Sequence, residues 1–313
     1  MILITGANGF IGRSLTAFLD ERRVAFRAVS RNASPGCIAI GDMTQGVDWS
    51  APLAGVDIVI HLAGRAHVLK EEADPVSAFK AANIDATLAV ARQAAASSVR
   101  RFVFVSSIKA SGGNTRSRLP FLADDAPRPS DDYGRSKLEA ELRLFELGRE
   151  TGMEIVVVRP PLVYGPGVPA NFALMLKWAG SGLPSIFGAI NNRRSLVYVG
   201  NLCDLLLRVA DHPQAAGQVF LVSDGADLST AELFSRLAKL QGRRPINLPV
   251  PPGILAASLR LIGKSGHGER LLGNLQVDIG KTCRVLQWTP PVSVDEGLRV
   301  TAESFRSPPR LRN

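Results

Sequence analysis

The chain has 313 residues, 46% hydrophobic and 21% charged, with a formal net charge of +9. That length can bury a large core in one large domain or two intimate ones, and no apolar run approaches the ~20 residues that span a bilayer. Three scattered cysteines, Cys37, Cys203 and Cys283, fit a reducing cytoplasm and lack metal-ligand spacing; the basic residues are dispersed without aromatic interleaving, which argues against nucleic acid as a partner.

Residues 1–5, MILIT, read as an apolar strand with no basic segment before it, unlike a signal peptide. Gly6, Gly9 and Gly12 follow at three-residue intervals, and Phe10 opens an amphipathic helix. Strand, glycine turn and helix make a phosphate site: backbone N–H groups and the helix N-terminus face the anion, and the glycines let it approach. The spacing departs from G-x-G-x-x-G, and a plain tight turn is the alternative. A second strand, VAFRAVS, ends at Ser30 and Arg31. Dinucleotide folds place an acid near this point for the ribose 2′-OH, or an arginine for a 2′-phosphate. The acid is missing and Arg31 is present, which favours NADP(H) over NAD(H), with a surface arginine as the rival reading. A third strand, CIAIGDM, puts Asp42 at its end, either to accept from the adenine amino group or to form a turn after glycine.

The apolar run VDIVIHLAG is a buried strand ending at His61, Leu62, Ala63 and Gly64, with His61 read as structural. PVSAFKAANIDATLAVARQAAASS is one long helix containing Asn83, and RRFVFVSS is the next buried strand, ending at Ser106 and Ser107. This alternation gives the fold class: α/β, a doubly wound parallel sheet of the Rossmann kind, with ligands at the carboxyl ends of the strands. A loop rich in Gly, Pro, Ser and Asp then leads to Tyr133, and such loops often act as lids. Ser130, Asp131 and Asp132 cap the next helix, on which Tyr133 and Lys137, four residues apart, share a face. A free phenol titrates near ~10, and a fixed ammonium beside it favours the phenolate, making Tyr133 usable as acid or base. Two residues on a solvated helix face are the alternative.

EIVVVRPPLVYGPG is a sixth strand broken at Pro160 and Pro161. RRSLVYVGNLCDLLLRVADH and QVFLVSD read as strand, helix and strand returning to the main sheet, and helices over 230–241 and 253–262 complete a smaller C-terminal cap. The division expected is a nucleotide-binding domain over 1–165 and 191–225, and a substrate-capping region over 166–190 and 226–313.

TGANGFIG, GDM, HLAG, SS, YGRSK and RPPLVYGPG, in this order and spacing, resemble the extended short-chain dehydrogenase/reductases, from residue 1 to about 299. Within them the chain is similar to the NAD(P)-dependent epimerase/dehydratase branch that modifies nucleotide sugars. The resemblance implies that Ser107, Tyr133 and Lys137 are catalytic: Ser107 binds the reacting sugar oxygen, Tyr133 exchanges a proton with it, and Lys137 lowers the phenol pKa and holds the nicotinamide ribose. Cofactor contacts carry over to Gly6, Gly9, Phe10, Ile11 and Gly12, to Arg31, Asp42 and Met43, to Leu62, Ala63, Gly64 and Asn83, and to Ser106 and Pro160. Substrate contacts carry over to Asn171, Arg194 and Arg270, the two arginines against the sugar-nucleotide diphosphate or, alternatively, on the surface.

Two departures matter. Arg31 stands where the acidic ribose contact belongs, and IKASGG follows Ser107 where many epimerases have a small residue, a Thr and a Tyr-Gly pair. They tilt the expectation from a UDP-glucose (or UDP-N-acetylglucosamine) 4-epimerase toward a UDP-4-keto-6-deoxy-hexosamine 4-reductase, cytoplasmic and using NADPH, in surface-polysaccharide assembly. A homodimer and a UDP-sugar partner are expected, and no metal. A non-catalytic NADP(H)-sensing regulator would be marked by loss of the Tyr or Lys, and both are present.

Overall fold

A computed structural model describes residues 1–65, 74–115, 119–261 and 271–306. The N-terminal signal forms as read: β1 (Ile2–Thr5) turns through the glycines into α1 (Phe10–Glu21). β2 (Phe26–Ser30), β3 (Cys37–Ala39), the short α2 (Ser50–Leu53) and β4 (Ile58–His61) follow. The long helix is composite: α3 (Pro75–Phe79) passes through a π-helical stretch, Lys80–Asp85, into α4 (Ala86–Ala96). Next come β5 (Arg101–Val105), α5 (Asp132–Thr151) and β6 (Glu154–Arg159). They are followed by β7 (Leu162–Tyr164), α6 (Ala170–Ser181), β8 (Leu196–Tyr198), α7 (Val199–Asp211) and β9 (Val219–Leu221).

Seven of these strands form one parallel sheet in the order β3-β2-β1-β4-β5-β6-β9. The strand order reverses between β1 and β4, so a crevice opens there at the carboxyl ends, where doubly wound sheets bind their ligands. Thr5 pairs with His61 and His61 with Phe104, which lines up the ends of β1, β4 and β5 along that edge. Side chains alternate between the faces with period two. Ile4, Ile60, Val103 and Val158 pack against the α1 and α7 layer, whereas Leu3, Val59, Phe102, Phe104 and Val157 pack against the α4 and α5 layer.

The chain after β6 departs from the strand–helix–strand return expected. Pro160 and Pro161 lack the N–H groups a ladder needs, so β6 stops at Arg159. β7 instead pairs with β8 in a separate two-stranded parallel sheet, and only β9 returns to the main one. Beyond it α8 (Thr230–Leu240), α9 (Pro252–Leu261) and the helix Val294–Arg306 enclose a second core of Tyr164, Phe172, Leu176, Phe234 and Leu298. Residues 274–276 stitch this region to the loop after β5: Thr115 N–H donates to Asn274 O at 3.0 Å and Phe121 N–H to Gln276 O at 2.9 Å. Among the described residues no helix is long and apolar enough to cross a membrane.

Candidate active site

The glycine turn is built for close approach. Gly6 has φ +69°, and a Cβ there would lie 2.8 Å from Ala63 N; one on Gly12 would overlap the Gly6 carbonyl oxygen. Gly9 caps α1 without a side-chain hydrogen bond, and no acid stands in the first turn. The first N–H groups of α1 therefore face the β1–β4 crevice with a positive helix end and no carboxylate in competition. These features fit a dinucleotide's diphosphate. Beside them Leu62 N–H reaches Thr5 O at 3.3 Å, and Ala63 N–H reaches the Thr5 hydroxyl at 3.3 Å, holding residues 62–64 over the turn. Phe10 bridges the two cores, and Ile11 packs on the first.

Ser107, Tyr133 and Lys137 come together at the end of β5. Ser107 caps a 3₁₀ turn, Ile108–Ala110, accepting from Lys109 N–H at 3.2 Å. Asp131 caps α5 by accepting from Gly134 N–H at 2.7 Å, and its carboxylate pairs with Lys109 at 3.3 Å. Gly134 lets the helix start lie directly on that turn, since any Cβ would overlap the Lys109 carbonyl oxygen. The result brings the Ser107 hydroxyl beside the Tyr133 phenol, near enough to lower the phenol's pKa against its burial. Lys137 is buried and donates to Val105 O at 3.1 Å, with its ammonium 4.5 Å over the Phe104 ring.

The crowded surroundings of the phenol push Tyr133 up to about 12; the Ser107 hydroxyl pulls down and Asp131 pushes further up. The ammonium of Lys137 is held by the Val105 carbonyl. Burial pulls Lys137 itself down to about 8, against the opposing charge of Glu141 one turn on. As it stands, Tyr133 is a protonated acid at neutral pH.

The other sequence-derived residues divide between the crevice and structural work. Asn83 is fully buried on the π-helical stretch; its amide accepts from Arg65 N–H at 2.7 Å and donates to Arg65 O and Ser136 Oγ, both at 3.0 Å. It clamps the chain after Gly64, where a Cβ would lie 3.1 Å from Asn83 Oδ1 and 3.2 Å from Lys137 Nζ. His61 is held by Thr5 and Thr87 hydroxyls at 2.9 and 3.1 Å, the structural role read for it. Ser106 turns away from the crevice and donates its hydroxyl to Glu141. Asp42 uses its carboxylate to cap the turn Met43–Gln45, accepting from Thr44 N–H at 3.0 Å. Arg31 is exposed at the end of β2; the Asp42 carboxyl pKa is lowered first by its hydrogen bonds from Thr44 and to a smaller extent by the charge of Arg31. Pro160 is buried, its carbonyl taking Ile108 N–H at 3.0 Å. Asn171 is exposed at the start of α6, and Arg194 donates to Gly273 O at 3.0 Å. Arg270 lies outside the described residues. Sequence reasoning passed over Glu141, although its place one turn after Lys137 on the same helix face was a signal. It also passed over Asn192, whose amide donates to Leu271 O and Gly273 O at 3.0 Å.

A family model described as NAD dependent epimerase/dehydratase matches residues 2–223. The chain belongs to that family. It is an NAD(P)-dependent enzyme of the epimerase/dehydratase type. The chain is 42% identical over 311 residues to a Vibrio cholerae protein named UDP-glucose 4-epimerase, covering 97% of this chain and 95% of that one. The solved structure of MoeE5 in complex with UDP-glucose and NAD is 25% identical with a TM-score of 0.79, covering 97% and 98% of the two chains. RMD from Pseudomonas aeruginosa, complexed with NADPH, shares the fold at TM-score 0.76 and 22% identity, covering 98% and 100%. Among the described residues no cluster of His, Cys, Asp and Glu has the makings of a metal site.

Proposed function

We propose that this member of the family moves a hydride at C4 of a UDP-sugar, and that its reaction is the 4-epimerisation of a UDP-hexose. The observation that carries the reading is Ser107 at the end of β5 gathered with Tyr133 and buried Lys137 of α5, in a chain 42% identical to the Vibrio cholerae protein named UDP-glucose 4-epimerase. Gly6, Gly9 and Gly12 with the start of α1 would hold the nucleotide's diphosphate, and residues 62–64 would line the crevice beside it. When bound, the nicotinamide takes the C4 hydride and returns it. Ser107 would orient the sugar's 4-oxygen, Tyr133 would exchange the proton on that oxygen, and Lys137 would stabilise the phenolate when the proton moves to solvent or substrate. Such proton transfer by a positioned side chain contributes ~10²–10⁴-fold. Asn171 and Arg194 are the substrate contacts, Arg194 toward the diphosphate; residues 1–165 and 191–225 serve the nucleotide, and 166–190 and 226–313 cap the sugar.

Two observations favour a second reading, reduction of a UDP-4-keto-6-deoxy-hexosamine by NADPH. Arg31 stands exposed where a 2′-phosphate would lie, and Tyr133 is protonated, ready to give a proton to O4 as hydride arrives at C4. Purified protein incubated with UDP-glucose plus NAD, and with UDP-4-keto-6-deoxy-N-acetylglucosamine plus NADPH, separates the readings when products are followed by NMR. UDP-galactose in the first arm is the result expected. Turnover in the second arm alone makes the protein a reductase, and turnover in neither removes both.

A further inference from the structure

Behind the proposed catalytic residues lies a buried polar cluster that proton transfer does not use. Glu141, one turn beyond Lys137 on α5, is 1% exposed, and Arg159 at the end of β6 is 4% exposed. Arg159 Nε donates to the two Glu141 oxygens at 3.0 and 3.1 Å, and Nη1 donates to Ser111 Oγ at 3.1 Å. Ser106 donates its hydroxyl to the same carboxylate. Ser106 immediately precedes Ser107, and Ser111 closes the 3₁₀ turn that Ser107 caps. One ion pair thus ties the helix bearing Tyr133 and Lys137 to both ends of the turn bearing Ser107.

A buried ion pair is weak support for a fold, because desolvation offsets much of its attraction and apolar side chains of similar size often serve as well. The connections of this one supply another reason for it. We propose that Glu141 is a positioning residue for the C4 reaction: through Ser106 it fixes Ser107 against Tyr133, and by its charge it keeps Lys137 an ammonium. The inference rests on the C4 hydride reading and extends it to a fourth residue.

Among the described residues these groups face Lys137. Glu141 faces it from its own helix, with Arg159 of β6 behind the carboxylate. His61 faces it from β4 as a buried, neutral imidazole. Tyr133 lies one turn earlier, near the Lys109–Asp131 pair. Among these, Glu141 is the anion whose charge acts on Lys137, so removing it makes the ammonium easier to discharge.

The test uses Glu141→Gln, Ser106→Ala and the double variant Glu141→Leu/Arg159→Met, which removes both charges together and so keeps a folded protein where the single change strands Arg159. kcat and KM for UDP-glucose are measured against pH. Independently of turnover, the Lys137 titration is followed by NMR with lysine labelled at its ε-carbon, the signal being assigned with Lys137→Met. Ser106→Ala lowers kcat ~10-fold, and loss of Glu141 lowers it ~100-fold, both at a KM within ~3-fold of the parent, as misplacement at a distance from the chemistry does. The Lys137 titration falls by roughly one pH unit in Glu141→Gln, where the charge of Arg159 remains, and stays put in Ser106→Ala. A folded double variant with the parent's kcat overturns the positioning role, and a Lys137 titration unmoved in Glu141→Gln overturns the role of the charge. A parent inert toward UDP-sugars defeats the C4 reading instead, and the Lys137 titration still decides whether Glu141 holds the charge.

Discussion

At the scale of single residues, Tyr133 is the proposed proton-exchanging group, and burial raises its pKa. Tyr133→Phe removes only the hydroxyl, so kcat falls ~10²–10⁴-fold while nucleotide affinity by titration stays within a few-fold; an unchanged kcat would contradict the role. His61 gives a second prediction, for stability. Burial first, and then the charge of Lys137, hold its pKa at about 3, below the ordinary value of 6.5. Between those pH values the unfolded chain binds a proton that the folded chain does not. Stability from this group is therefore complete above pH 6.5 and is lost as pH falls toward 3, at up to ~1.4 kcal/mol per pH unit. Urea unfolding from neutral to acid pH reads the slope, and His61→Gln should flatten it by one proton's worth; an unchanged slope would assign the acid sensitivity elsewhere. The Tyr133–Lys137 pair was legible because helical spacing makes neighbours of residues four apart. Its electrostatics were not, because burial and the Val105 carbonyl that draws the ammonium come from tertiary packing. Glu141, Arg159 and Ser106 meet across separations of 18 and 35 residues, which no local pattern announces.

At the scale of elements, the site depends on how closely α5 begins against the turn after β5. Gly134 is the contact point. Gly134→Ala forces the helix start away from Lys109, so it costs about 1–3 kcal/mol of stability in urea titrations and lowers kcat more than it raises KM. A variant with parental stability and kcat would show that the contact yields freely. The β–α alternation, the glycine turn and the capped start of α5 were all visible in the sequence, since each rests on local periodicity or on a residue type with one conformational use. The π-helical stretch carrying Asn83 was not, because KAANID has ordinary helical spacing and the extra residue per turn is selected by what Asn83 clamps. Pro160-Pro161 did mark the end of β6; the pairing of β7 with β8 depends on a partner more than thirty residues away, and was read wrongly.

At the scale of the whole molecule, the strand-order reversal sets a nucleotide-binding crevice beside Ser107, Tyr133 and Lys137, and residues 274–276 join the loop after β5 to the second core. That second core was the least legible part, because irregular segments such as 271–278 are held by Asn192, Thr115 and Phe121 from distant stretches. The central claim is hydride transfer at C4, and isotope tracing tests it most directly. UDP-glucose carrying deuterium at C4 is incubated with the protein and either NAD or NADP, and the label is located by NMR. The account predicts deuterium retained at C4 of UDP-galactose with transfer within one active site, and no conversion by Tyr133→Phe. Loss of the label to solvent, or its unaltered retention in UDP-glucose alone with both nucleotides, would contradict it.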